Sequence, residues 1–282
     1  MSTTDAEPTL ATTRDGRWLH YEARGDGTPT VVFESGMGGS RMSWARTAPK
    51  VAATTRTVVY DRSGLGRSPR DLAPRTIPRF ADDLEDLLDE VTDGPVVLVG
   101  HSYGGPITRS VLARRPEKVV GLVLVDPTDE ACPLYMDPKL MRQQNLLNRV
   151  LPLAARLGLS RRFMARVVAG WPEAERTAFL DEDTSVAAAE AMQAEAAFIT
   201  PDLIELRDHP LPPIEVPFTT ISGGLVGRTG AKVRDPLVAA HKARVAASPQ
   251  GRHVIAERSG HMIPMTEPEL VADEVVRLVE AL

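Results

Sequence analysis

The 282-residue chain has a single cysteine, Cys132. An internal disulfide framework is therefore excluded, and a lone thiol fits a reducing compartment. No apolar run approaches the ~18 residues that a membrane-spanning helix needs. The opening MSTTDAEPTL lacks the basic and apolar blocks of a secretory signal, so the expected location is cytoplasmic. A basic excess is missing as well: the formal net charge is −5, which argues against a nucleic-acid groove. The one local basic cluster, Arg161, Arg162 and Arg166, reads as the solvated face of a helix. Neither nucleic acid nor membrane is an expected partner. What remains is a chain with 43% hydrophobic residues, ordinary for a globular protein that buries a real core. Its length allows one large domain or a core with an insertion.

The patterning is that of an α/β sheet. From Leu10 to Arg24, two short strand-like runs meet at Asp15-Gly16, a hairpin signal. TVVFE (30–34), RTVVYD (56–61), PVVLVG (95–100) and VVGLVLVD (119–126) follow, each bounded by turn residues. Such β-branched, non-alternating runs suit strands buried on both faces. Between them, Ile77, Phe80, Leu84, Leu87, Leu88 and Val91 recur at three- and four-residue steps and make one helical stripe. After Asp126 no strand run appears for about 85 residues, and helix starts are read at Ser160, Pro172, Thr184 and Pro201. The pattern then resumes with PFTTIS and RHVIAE. It ends on a helix striped by Leu270, Val271, Val275, Leu278 and Val279, with Thr266 and Glu269 as its capping box. The expected architecture is a mostly parallel sheet flanked by helices. Its core spans residues 1–126 and 213–282, and a helical cap is inserted at 127–212.

The chemistry begins at Gly100-His101-Ser102-Tyr103-Gly104, where a buried strand runs into a helical stretch. A serine on so sharp a turn needs small residues two before and two after it. Its hydroxyl needs a base to take its proton as it attacks. Of six histidines, His261 follows the last strand, at the sheet edge expected for Ser102, while the side chain of His101 should point away. The GMGG at 36–39 is not a dinucleotide fingerprint, because the third glycine position holds Arg41.

At these residues the sequence resembles the α/β-hydrolase superfamily. YDRSGLGRS (60–68) looks like that family's loop after the fourth strand, and RSGHMIPMTEPELV (258–271) like its histidine loop and final helix. The resemblance implies a serine hydrolase that forms an acyl-enzyme on Ser102, with His261 shuttling the proton. It implies an oxyanion hole built from the N–H groups of Tyr103 and, in the loop after TVVFE, of Met37. Ser35 stands where the family often has a histidine, which leaves the bracing of that loop open. No metal or organic cofactor is implied.

One absence bears on the mechanism directly. The family's carboxylate usually follows the strand after the insertion, yet TTISGGLVGRTG (219–230) offers Val226 or Gly227 at that point. A second family solution puts the acid after the sixth strand, which here is Asp126. Asp129, Glu130 and Asp235 are the alternatives. With Asp126 as the acid, Asp126→Asn should cut turnover with little loss of folded protein. The expected substrate is a small ester, lactone or thioester with an apolar moiety, held under cap residues such as Phe163 and Phe198. Acyl transfer and carbon–carbon bond hydrolysis use the same triad, and a ligand-binding receptor with a vestigial triad is the reading outside catalysis. Dehalogenase and epoxide-hydrolase chemistry is disfavoured, since on this fold it uses an aspartate where Ser102 stands.

Overall fold

The computed structural model describes residues 9–226 and 230–282. Eight strands form one sheet: β1 (Thr9–Thr12), β2 (Trp18–Arg24), β3 (Thr30–Glu34), β4 (Thr57–Tyr60), β5 (Val96–His101), β6 (Val119–Val125), β7 (Phe218–Gly223) and β8 (Gly251–Ala256). Their order across the sheet is β1-β2-β4-β3-β5-β6-β7-β8. The β1–β2 and β2–β4 pairs are antiparallel, and every later neighbour pair is parallel. The first hairpin turns where expected, with Gly16 at φ +81°, a conformation that glycine adopts without a Cβ clash.

Helices cover both faces of the strands that carry the site. In chain order, α1 (Ala48–Val51), α2 (Ile77–Val91) and α3 (Gly104–Arg114) precede β6. Along β5, Val96 and Leu98 join one core with Phe80, Leu84, Leu87 and Ile107 from α2 and α3. Val97 and Val99 join the other, with Val271, Val275 and Leu278. Successive strand residues point to opposite faces, which is why an all-apolar run was needed here. Each fully buried Val or Leu contributes roughly 1.5–3 kcal/mol of apolar transfer. The expected α2 stripe is buried at all six positions.

Between β6 and β7 the described elements are all helical. A short 3-10 turn (Pro133–Met136) leads into α4 (Pro138–Arg156), α5 (Leu159–Val167), α6 (Glu173–Asp183), α7 (Val186–Ala196) and α8 (Ile199–Asp208). Pro172 caps α6 as read from sequence, but the other starts differ. α5 begins after Gly158, α7 after Ser185 and α8 after Phe198. Ser185 outcompetes Thr184 because its hydroxyl accepts the Ala188 N–H. The longest helix, α4, had no assigned start. Asp137 caps it, accepting from the Lys139 and Leu140 N–H groups, with Pro138 in the first turn.

After β7 come α9 (Ala231–Ala246), α10 (Ile263–Thr266) and α11 (Pro268–Glu280). The capping box expected at Thr266 and Glu269 does not form. Thr266 closes α10 instead: its hydroxyl donates to the Met262 carbonyl and pairs with Ser259 Oγ at 2.7 Å. The chain then bends at Glu267-Pro268 to start α11. Among the described residues no helix is long and apolar enough to cross a membrane.

Candidate active site

Ser102 sits at the end of β5 with φ +52°, a conformation rare for any residue with a side chain. Three backbone hydrogen bonds hold it there. Its N–H donates to the Val125 carbonyl at 3.0 Å, and its carbonyl accepts from Gly105 at 3.0 Å and Thr128 at 2.9 Å. Strain of this kind costs about 1–3 kcal/mol and persists only where surrounding bonds impose it. The flanking glycines are required by contact. A Cβ on Gly100 would lie 2.6 Å from the Gly104 carbonyl oxygen, and one on Gly104 would lie 2.6 Å from that of Glu34.

His261 lies beyond β8, and its Nδ1 is 2.6 Å from Asp126 Oδ2. Asp126 is wholly buried at the end of β6, on the strand beside Ser102, and it too has a positive φ of 43°. The end of β7 contributes a donor to this carboxylate rather than an acid of its own. The Gly223 N–H donates to Asp126 Oδ1 at 3.0 Å. Val226 is 45% exposed, and Gly227 lies outside the described residues. The other candidate carboxylates are engaged elsewhere or face solvent. Asp129 pairs with Arg244, Glu130 with Arg109 and Arg244, and Asp235 is exposed on α9.

Sequence reasoning missed Arg234 of α9, whose guanidinium grips both oxygens of Asp126. Its Nη1 donates to Oδ2 at 2.9 Å and its Nη2 to Oδ1. Burial alone would raise the Asp126 carboxyl. The hydrogen bond and charge of His261, then the charge of Arg234 and the Gly223 N–H, outweigh it and hold Asp126 below the usual carboxylate range. No local signal in the sequence could have shown this, since 108 residues separate the partners.

His101 is buried, and its ring contacts the backbone of the His261 segment. Its Nε2 lies 2.9 Å from the His261 carbonyl, which can only accept, so that nitrogen carries the proton. Burial, reinforced by the neighbouring charge of His261, pushes its pKa down to about 3, and the ring stays neutral. The two imidazoles are 4.9 Å apart. His101 thus fixes the backbone of His261, while Asp126 fixes its ring. The remaining nitrogen, His261 Nε2, has no partner among the described residues.

The Met37 and Tyr103 N–H groups likewise donate to no atom among the described residues. The loop bearing Met37 is braced by Arg62, which donates to the Ser35 carbonyl at 2.6 Å and the Gly36 carbonyl at 2.7 Å. From the inserted helices, Glu195 of α7 accepts the Gly38 N–H at 2.8 Å and binds Arg62 and Arg75. Asp183 of α6 accepts both the N–H of Ser40, at 2.8 Å, and its hydroxyl. Asp202 of α8 accepts the Tyr103 hydroxyl at 2.7 Å. Three inserted helices therefore hold the two loops that carry the free N–H groups. Met192 of α7 packs against Gly38, so close that a Cβ there would lie 2.6 Å from Met192 Cβ. Phe163, by contrast, is 62% exposed on α5. The described residues contain no His, Cys, Asp and Glu cluster able to hold a metal ion.

Lipase LipV of Mycobacterium tuberculosis is 31% identical over 218 residues, covering 75% of this chain and 78% of that protein. A thermophilic esterase from Thermogutta terrifontis superposes with a TM-score of 0.72 over 98% of this chain and 99% of its own, at 23% identity. RutD of Azorhizobium caulinodans is 36% identical over 108 residues, and that match spans only 38% of this chain and 40% of RutD. The profile of the alpha/beta hydrolase family matches residues 31–274, and the chain belongs to that family.

Proposed function

We propose that the protein is a serine hydrolase that cleaves a carboxylic ester, lactone or thioester with an apolar moiety through an acyl-enzyme on Ser102. The observation that carries this reading is the 2.6 Å bond from the His261 ring to a buried, ionised Asp126, on the strand beside the strained Ser102 turn. With Nδ1 donating to Asp126, Nε2 is the basic nitrogen available to the serine hydroxyl. Ser102 Oγ attacks the substrate carbonyl as His261 takes its proton. The carbonyl oxygen gains the negative charge, and the Met37 and Tyr103 N–H groups receive it; such a donor is worth roughly 10²–10³ in turnover. His261 then returns the proton to the departing alcohol or thiol. Water, deprotonated by the same imidazole, cleaves the acyl-serine and restores the enzyme.

Met192 over the oxyanion loop and the partly buried Met37 in it support an apolar substrate moiety. The names of LipV and the Thermogutta esterase agree in reaction class. The test is turnover of p-nitrophenyl esters of increasing acyl length by the wild-type protein and Ser102→Ala. Hydrolysis by the first, lost by several orders of magnitude in the second, is the expected result. Equal turnover by both would refute the mechanism.

A further inference from the structure

The outer face of α4 is apolar where a helix of a water-facing protein is ordinarily polar. Leu146, Val150, Leu153 and Leu157 follow one another at steps of four, three and four residues. At about 100° per residue they fall within an arc of roughly 60°. Each is between 49% and 64% exposed. The side that packs inward lies opposite: Asn148 is the helix's buried residue, and its carbonyl accepts from Gln193 of α7. Leu159 and Phe163 of α5, spaced four apart, extend the exposed apolar surface beyond the turn at Gly158.

The charge along this segment is one-sided. Residues 138–172 contain Lys139, Arg142, Arg149, Arg156, Arg161, Arg162 and Arg166 and no Asp or Glu, in a chain whose net charge is −5. Arg142, Arg149 and Arg156 repeat every seven residues and line one flank of the leucine stripe. Arg161 pairs with Asp181, and Arg156 lies 4.0 Å from Glu190. The other five cations form no ion pair among the described residues.

We propose that this face docks the protein on an anionic phospholipid surface, with the stripe from Leu146 to Leu157 and Phe163 entering the headgroup boundary and the arginines resting on phosphates. An apolar stripe edged by cations is the arrangement of helices that lie in a bilayer interface. The expectation of no membrane partner rested on the lack of a spanning segment, and a helix lying in the interface needs none. A second copy of the chain fits less well. A two-fold contact brings the same patch against itself, and here that would oppose two acid-free, cationic segments. The proposal does not depend on the hydrolase reading.

The test is co-sedimentation of the full-length protein with phosphatidylcholine vesicles with and without phosphatidylglycerol. Each basic residue near an anionic surface contributes about fivefold in partitioning. Binding to the anionic vesicles should therefore exceed binding to the neutral ones by at least about tenfold, and high salt should remove the difference. Leu146→Ser/Leu153→Ser should weaken binding by tenfold or more. Arg142→Gln/Arg149→Gln should bring it close to the neutral-vesicle level. These positions are exposed, so both variants should keep the wild-type circular dichroism and ester turnover. Three results would overturn the proposal. One is no binding to anionic vesicles, and another is equal binding to both vesicle types. The third is a lipid-free dimer in sedimentation velocity that Leu146→Ser/Leu153→Ser dissociates, which would assign the face to a second copy.

Discussion

Replacing Asp126 by asparagine separates its two roles, orienting His261 and neutralising Arg234. Asparagine keeps the shape and one acceptor oxygen but removes the charge. For catalysis, the lost carboxylate leaves His261 without the partner that fixes its tautomer. In serine hydrolases of this design that costs on the order of 10⁴ in turnover, about 5.5 kcal/mol of transition-state stabilisation. For stability, Arg234 loses the only anion it contacts in the described structure, with its side chain just 11% exposed and Asp126 fully buried. Orphaning one partner of a buried pair costs about 3–5 kcal/mol, and Arg234's partial access to water points to the lower end. The sequence alone predicted little loss of folded protein, and Arg234 is the reason to expect otherwise. The double variant Asp126→Asn/Arg234→Met should recover stability to within about 1 kcal/mol of wild type, since no charge is stranded, yet stay about 10⁴ down in turnover. Asp235→Asn serves as the silent control. Urea denaturation and ester hydrolysis on the four proteins decide it. Turnover within tenfold of wild type in Asp126→Asn, or a stability loss undiminished in the double variant, would refute the reasoning.

Ser102→Gly removes the hydroxyl and also the left-handed strain. It should abolish turnover while thermal melting shows stability equal to wild type or up to about 1 kcal/mol higher. A clearly lower melting point would mean the turn is not strained. Glu195→Gln should destabilise by about 3–5 kcal/mol, because Arg62 and Arg75 are buried around it. It should also lower kcat more than it changes KM, since the Gly38 N–H that Glu195 anchors lies beside Met37; an unchanged kcat would separate the inserted helices from the oxyanion loop. Burial raises the Asp183 carboxyl to about 7 from an ordinary 3.8, against the opposing hydrogen bonds from Ser40. Between those values the folded protein keeps a proton that the unfolded chain has lost, so this group's contribution to stability falls as pH rises through that window. Asp183→Asn should flatten the urea midpoint between pH 4 and pH 7, and an unaltered slope would show that the group does not titrate there.

How much of this was legible from the sequence depended on whether one element could reveal it. β3 was readable to the residue, and β5 and β6 nearly so, because strands covered on both faces show as short, mostly apolar and β-branched runs. The Ser102 turn was readable because two glycines are forced by backbone contact within five residues. Asp126 could be singled out by its place at a strand end, before any partner was known. Arg234 could not, since its relation to Asp126 exists only once α9 packs against β7 and β8 and brings the guanidinium to the end of β6. The same holds for Glu195 and Asp183, whose partners in the Met37 loop lie more than 140 residues away in the chain. The start of α4 at Asp137 was not among the assigned helix starts, and the Thr266 box failed because the Thr266 hydroxyl is bound to the Met262 carbonyl and Ser259. Phe163 was expected above the substrate and instead faces solvent.

The central claim, that Ser102 is the nucleophile activated by His261 and Asp126, meets its most direct test in covalent trapping. The wild-type protein would be treated with a fluorophosphonate and its peptides mapped by mass spectrometry. A single adduct on the peptide bearing Ser102, formed at a rate that falls steeply in both His261→Ala and Asp126→Asn, is the predicted result. An adduct on another residue, or labelling of Ser102 at an unchanged rate in those two variants, would contradict it.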